Sequence, residues 1–230
     1  MMQTILESVP GSRRLTVDDK DATLDLLETC LQEVPVYRWF LGEGAPPEAY
    51  RWLAQAMFEM NVHALHGVFD SDELIALVAV TEPDAPPVTV SEELKALNRH
   101  YMTSIDNFAE RFREFGRACA DAAVSGAIDI PINAVHPDHR RRGLSVRLIE
   151  PVLEYARRRG VPVTGSTTHP HMSAFYSERV DVLGVQTHRR SHSVDASMGP
   201  ASRRHVGLIA VRHTREDRIA VRSHHPVIFN

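Results

Sequence analysis

The chain has 230 residues, with 26 lysines and arginines against 30 aspartates and glutamates, a formal charge of −4, and 43% hydrophobic residues. This composition excludes disorder and collagen-like repetition, and no uncharged apolar run approaches the roughly 18 residues that would span a membrane. The N-terminus lacks the continuous apolar stretch of a secretory signal, and Cys30 and Cys119 show no pairing or zinc-binding pattern. These features predict a soluble, cytoplasmic chain with two buried thiols, and the length suits one α/β domain over 1–230.

In chain order, Leu24, Leu27, Cys30 and Leu31 mark one face of an amphipathic helix within 15–31. The cluster Asp18, Asp19 and Asp21 suits its positive N-terminal end, and Pro35 breaks it. A second helix follows Pro46-Pro47, with Trp52, Leu53, Ala56, Met57 and Met60 at three- and four-residue spacing. The run 68–80 reads as two strands joined by a polar turn, the second apolar throughout and so covered on both faces. Ser91 opens a helical region reaching Ala123, as one helix or two.

Residues 126–135 alternate Ile128, Ile130 and Ile132 with Asp129, Pro131 and Asn133. Proline cannot donate to a ladder, so a bulge, an edge or a parting of strands is expected at Pro131. Residues 143–159 form the clearest helix, with Leu144, Leu148, Ile149, Val152, Leu153 and Ala156 on one side, a kink expected at Pro151 and a stop at Gly160. A strand at 161–164, a short helix near 173–178 and strands near 182–192 and 205–213 complete the pattern. Strand, helix, strand implies a crossover with locally parallel strands.

The chemistry-bearing run is 134–146, Ala-Val-His-Pro-Asp-His-Arg-Arg-Arg-Gly-Leu-Ser-Val, between a strand and a helix. A helix start leaves backbone N–H groups pointing outward at the positive end of the dipole, and Gly143 and Ser145 are small enough to admit phosphate oxygens. Arg140, Arg141 and Arg142 add positive charge. By spacing alone the run fits anion binding and a solvated basic loop equally.

Val135-x-Pro137 followed by Arg140-x-x-Gly143-x-Ser145 resembles the acyl-CoA-binding signature of the GNAT acyltransferase superfamily, Arg/Gln-x-x-Gly-x-Gly/Ala, with Ser145 departing at the last place. Within it the chain resembles puromycin N-acetyltransferase and related antibiotic-modifying enzymes. The carrying features are Val-x-Pro-Asp-His before the loop, Pro151, Arg-x-Gly-Val-Pro at 158–162, Phe175-Tyr176 with Glu178, and the helical insertion at 91–124. The resemblance covers about 60 residues, from Ile128 to Arg190.

It implies a GNAT fold, a mixed central sheet splayed at the cofactor strand and flanked by helices, with acetyl-CoA as donor. The pantetheine arm would run along the backbone of Asn133, Ala134 and Val135. The pyrophosphate would lie on the amides of Arg140, Arg141, Arg142, Gly143, Leu144, Ser145 and Val146. Tyr176 would protonate the departing thiolate, and His169 replaces the asparagine that commonly contacts cofactor. The implied activity is acetyl transfer to the amine of an antibiotic-like or metabolic small molecule; a carrier-protein donor and a non-catalytic acyl-CoA sensor are the rival readings.

A base must free the ammonium before attack. Asp129 is the candidate, placed on the same strand face as Asn133, although it reads equally as a solvent-facing carboxylate and a water relay would also serve. Tyr37, Trp39 and Phe40, in the bend after Pro35, are the acceptor-pocket candidates. Thirteen histidines raise a metal, but the densest pair, His169 and His171, lacks further ligands, so none is expected. The arginine-rich tail reads as an added strand within 214–230 at a subunit contact, which would make a homodimer, rather than as a nucleic-acid surface.

Overall fold

The β-rich runs join in one seven-stranded sheet of order β1-β2-β3-β4-β5-β7-β6. The strands are β1 (Ser12–Arg14), β2 (Leu65–Asp70), β3 (Glu73–Thr81), β4 (Ile128–Val135), β5 (Val163–Ser166), β6 (Gly184–His188) and β7 (Val206–Val211). Among the described residues only β4 and β5 pair in parallel, and they are joined through a helix. The computed structural model describes residues 2–42, 44–166, 184–188 and 206–211. The short helix near 173–178 and the strand within 214–230 lie outside them.

Among the described residues seven helices accompany the sheet: α1 (Met2–Glu7), α2 (Lys20–Glu33), α3 (Pro35–Leu41), α4 (Pro47–Asn61), α5 (Glu92–Ser104), α6 (Phe108–Ala122) and α7 (Leu144–Arg159). They build two cores. Residues of α1 and α7 pack with Ile75, Ala76, Val78, Val80, Ile128 and Ile130. Residues of α2 to α6 pack on the opposite face with Leu74, Leu77, Ala79, Ile132 and Ala134. β3 is thus covered on both sides, as its unbroken apolar run requires. Among the described residues no helix is long and apolar enough to cross a membrane.

The acidic cluster before α2 does specific work. The Thr16 hydroxyl accepts from the Asp18 N–H at 3.3 Å, and the Asp19 carboxylate accepts from the Thr16 N–H at 2.8 Å, a reciprocal cap that satisfies donors left over at a helix start. Arg13 clamps the same carboxylate at 2.6 and 2.9 Å. The region from Ser91 divides into α5 and α6, with the Ser91 hydroxyl accepting from Leu94 N–H at 3.1 Å. α7 continues through Pro151 and ends at Gly160, whose φ is +64°.

Sequence periodicity missed α1, β1 and α3, all of seven residues or fewer. The bend expected after Pro35 is helical, with that proline in the first turn, where its missing N–H loses no bond.

β4 carries the irregularity that Pro131 announces. Ala79 pairs with Ile132 and Thr81 with Asp129, so two steps along β3 match three along β4. The extra residue is a bulge, and it reverses which face each side chain takes. Ile128 and Ile130 face α7, whereas Ile132 and Ala134 face α2 and α4. The parallel pairing with β5 covers only Ile128, Ile130 and Asp129 between them, and from Pro131 onward β4 parts from β5 among the described residues.

Candidate active site

Where β4 ends, the chain makes a short 3-10 turn at Pro137–His139 and enters α7 at Leu144. Arg141 and Gly143 both hold left-handed backbone, with φ of +64° and +74°. A β-carbon on Gly143 would meet nothing within 4 Å, so glycine there answers a backbone requirement beside open space.

The turn takes its own hydrogen bonds early, His139 N to His136 O and Arg140 N to Pro137 O. The next backbone bond is Arg147 N to Gly143 O, at 3.0 Å. The N–H groups of 141 to 146 therefore have no backbone acceptor among the described residues. Left-handed positions in such a turn gather successive amides into a concave anion cradle at the helix's positive end.

The three arginines divide their roles. Arg140 reaches back to α2, bonding Glu33 Oε2 at 2.5 Å and the Val135 carbonyl at 3.2 Å. Arg142 turns onto the loop, meeting His139 Nδ1 at 3.3 Å and the Asp138 carbonyl at 3.4 Å. Arg141 is exposed and, among the described residues, makes no hydrogen bond or ion pair, so its charge is available to a ligand.

Asn133 and Ser145 tie the strand to the helix. Asn133 Nδ2 donates to Ser145 Oγ at 2.6 Å, while Asn133 Oδ1 is buried without a partner. The hydroxyl that departs from the Gly/Ala signature thus anchors β4 to α7. The Val135 carbonyl holds a second donor, the Cys30 thiol at 3.5 Å; burial pushes that thiol's pKa up, against the lowering pull of Arg140.

Asp129 corrects the sequence expectation. It does not share a face with Asn133, because the bulge between them turns it to the α3 and α6 side while Asn133 meets Ser145 on α7. Its carboxylate accepts from Thr164 Oγ1 at 2.8 Å. Desolvation raises its pKa against the lowering effect of that hydroxyl and of the Ile130 N–H. Its charge reaches Cys119 of α6, whose thiol is pushed up to about 11, chiefly by burial and then by Asp129. Cys119 in turn acts on Tyr37, whose phenol burial has already raised well above its ordinary value.

One carboxylate, one thiol and one phenol from β4, α6 and α3 are thus linked electrostatically on this side of the sheet. Of the proposed pocket aromatics, Tyr37 and Trp39 are half-buried. Phe40 is a second correction: it is 6% exposed and ringed by Phe108, Phe112 and Phe115 at 4.7, 5.9 and 5.8 Å between centroids, a core position. Sequence reading missed Glu33, Cys30, Cys119 and Thr164, for which residue type and spacing gave no signal. Tyr176 and His169 lie outside the described residues.

Residues 133–179 match the family model of the acetyltransferase (GNAT) family. No curated protein matches the chain. The fold is that of solved acetyltransferases at low sequence identity. A polyamine N-acetyltransferase of Drosophila melanogaster, which forms N-acetylagmatine, is 19% identical with a TM-score of 0.55, covering 88% of this chain and 99% of that one. A structure from Corynebacterium glutamicum described as histone acetyltransferase HPA2 and related acetyltransferase is 14% identical, with a TM-score of 0.58 over 92% and 99%. Arylalkylamine N-acetyltransferase 2 of Aedes aegypti is 13% identical, with a TM-score of 0.53 over 86% and 96%. The chain thus shares the fold of these acetyltransferases, and its segment 133–179 is similar to the GNAT family model.

Proposed function

We propose that the whole chain acts as one acetyl-CoA-dependent N-acetyltransferase domain that modifies the amine of a small molecule by direct transfer in a ternary complex. The observation that carries this reading is the row of unpaired amides from 141 to 146, with the uncommitted Arg141 beside it and the parted edge of β4 leading away from it. Diphosphate on that cradle would direct the pantetheine arm along Asn133 to Val135 and the thioester toward Asp129.

In the step itself, Asp129 takes a proton from the ammonium and the freed nitrogen attacks the thioester carbon. The carbon–sulfur bond breaks, and the Tyr176 hydroxyl protonates the departing thiolate. A carboxylate whose pKa burial has raised is a stronger base than an ordinary aspartate, which suits that role. Tyr37, Trp39 and Cys119 supply an aromatic and neutral acceptor wall. The amine acceptors named for the fold relatives, polyamines and arylalkylamines, fit an amine-directed reading. The narrower, antibiotic-like acceptor rests on the motif likeness to puromycin N-acetyltransferase alone.

The test is an acetyl-CoA thiol-release screen over a panel of amines, with Tyr176→Phe as control. The variant should lose turnover and keep cofactor affinity, and Arg141→Glu should do the reverse at unchanged stability. Calorimetry showing no acetyl-CoA binding at millimolar concentration would end this reading.

A further inference from the structure

A second constellation lies on the outer side of the same turn. Glu73 opens β3, His136 follows β4, and His139 closes the 3-10 turn. In a 3-10 turn, residues three apart lie on one face, which brings the two imidazoles to 5.8 Å between centroids. His136 N donates to Ile75 O at 2.9 Å, so the backbone bearing the histidines is fastened to the strand bearing Glu73. One ligand atom from each of Glu73, His136 and His139 lies within 4.8 Å of the others, and His139 Nε2 stands 3.9 Å from Glu73 Oε2.

We propose that Glu73, His136 and His139 form a site for a divalent ion of the zinc class, separate from the acetyl-transfer chemistry. Two imidazoles and one carboxylate are a donor set suited to such ions, and three protein ligands leave an open position. Ligand atoms around a tetrahedral ion stand about 3.3 Å apart at the usual bond lengths. The side chains need to close by no more than about 1.5 Å, and Glu73 is exposed and free to turn.

The loop supplies a competitor. Arg142 donates to His139 Nδ1 at 3.3 Å, whereas an imidazole bound to metal through Nε2 keeps its proton on Nδ1 and donates from it. Metal binding therefore displaces Arg142 from His139, and its like charge opposes the ion. Arginine and metal are alternative occupants of one histidine. The histidine pair singled out from sequence, His169 and His171, lies outside the described residues. This site joins positions more than sixty residues apart, which no local spacing reveals.

Calorimetric titration of the full chain with zinc chloride, without acetyl-CoA, tests the site independently of the proposed activity. Wild type should show a binding event that His139→Ala and Glu73→Gln each weaken by at least about tenfold, and that Arg142→Ala tightens. Glu73→Gln changes an exposed side chain, so the test does not depend on His139→Ala folding normally. Identical titrations of wild type, His139→Ala and Glu73→Gln would place all bound zinc on other histidines and overturn the proposal, as would weaker binding in Arg142→Ala. Nickel should broaden the ring NMR signals of His136 and His139 before those of other histidines; broadening confined to other histidines would likewise overturn it.

Discussion

Gly143→Ala separates what the cradle does for folding from what it does for a ligand. The residue holds φ of +74°, and a methyl group there would touch no protein atom within 4 Å, so its effect on folding is the left-handed backbone penalty alone, about 1–2 kcal/mol. In a chain of this length that lowers Tm by roughly 2–8 °C. The effect on binding arises differently. The methyl occupies the open space through which phosphate oxygens approach the amides of 143 to 146, and each charge-assisted bond lost is worth about 1.5–3 kcal/mol. Acetyl-CoA affinity should therefore fall by about 10- to 100-fold. Gly160→Ala is the matched control, since Gly160 has φ of +64° and equally open surroundings at the far end of the same helix. Thermal melts should show similar losses for both variants, while calorimetry with acetyl-CoA should separate them. Equal affinity losses in the two, or wild-type affinity in Gly143→Ala, would refute the cradle as the diphosphate site.

Three further variants test the surrounding parts. Asp129→Asn should lower kcat by about 100-fold or more and remove the acid limb of the pH–rate profile, a limb that in wild type lies above the usual carboxylate range. Because its folded pKa is raised, Asp129 favours the fold at low pH and loses that contribution as pH rises through the folded value, so denaturant melts should show no loss of neutral-pH stability in Asp129→Asn. Asp19→Ala should destabilise the chain by about 1–2 kcal/mol at pH 7. Arg13 lowers the Asp19 pKa, so this contribution is present above the unfolded carboxylate range and lost as pH falls through the folded value; denaturant melts of variant and wild type should converge below about pH 4. Ser145→Ala removes the acceptor for Asn133 Nδ2 beside an oxygen already buried without a partner, and chemical denaturation should show a loss of about 1–2 kcal/mol.

Much of the frame was legible because its signals are local. Leu144 to Ala156 repeat at helical spacing between two glycines, and the unbroken apolar run of β3 demanded cover on both faces. Pro131 announced an interruption because it carries no N–H, and both a bulge and a parting of strands occur there. The loop's place between β4 and α7 was legible through the likeness of Arg140 to Ser145 to a family signature. The division of its arginines was not legible, since it depends on Glu33, more than a hundred residues earlier in sequence, claiming Arg140. Phe40 shows the same limit: a helical aromatic reads alike whether it faces a ligand or three phenylalanines.

The misplacement of Asp129 is the instructive case, because simple alternation is correct on either side of Pro131 and fails only across it. Without the extra residue in β4, keeping Ile132 and Ala134 on the α2 and α4 face would carry Ile128 and Ile130 there too. Asp129 would then point at Leu148, Ile149 and Val152 of α7, all within 1% of full burial, where an unpaired carboxylate is strongly disfavoured. The bulge resolves this by turning the carboxylate to the other side of the sheet, where its charge reaches Cys119, while Asn133 keeps its bond to the start of α7. Proline is the residue that tolerates the break, as it has no ladder donor to lose. The same position parts β4 from β5, so one irregularity both ends the parallel pairing and turns Asp129 to the opposite side of the sheet from Asn133.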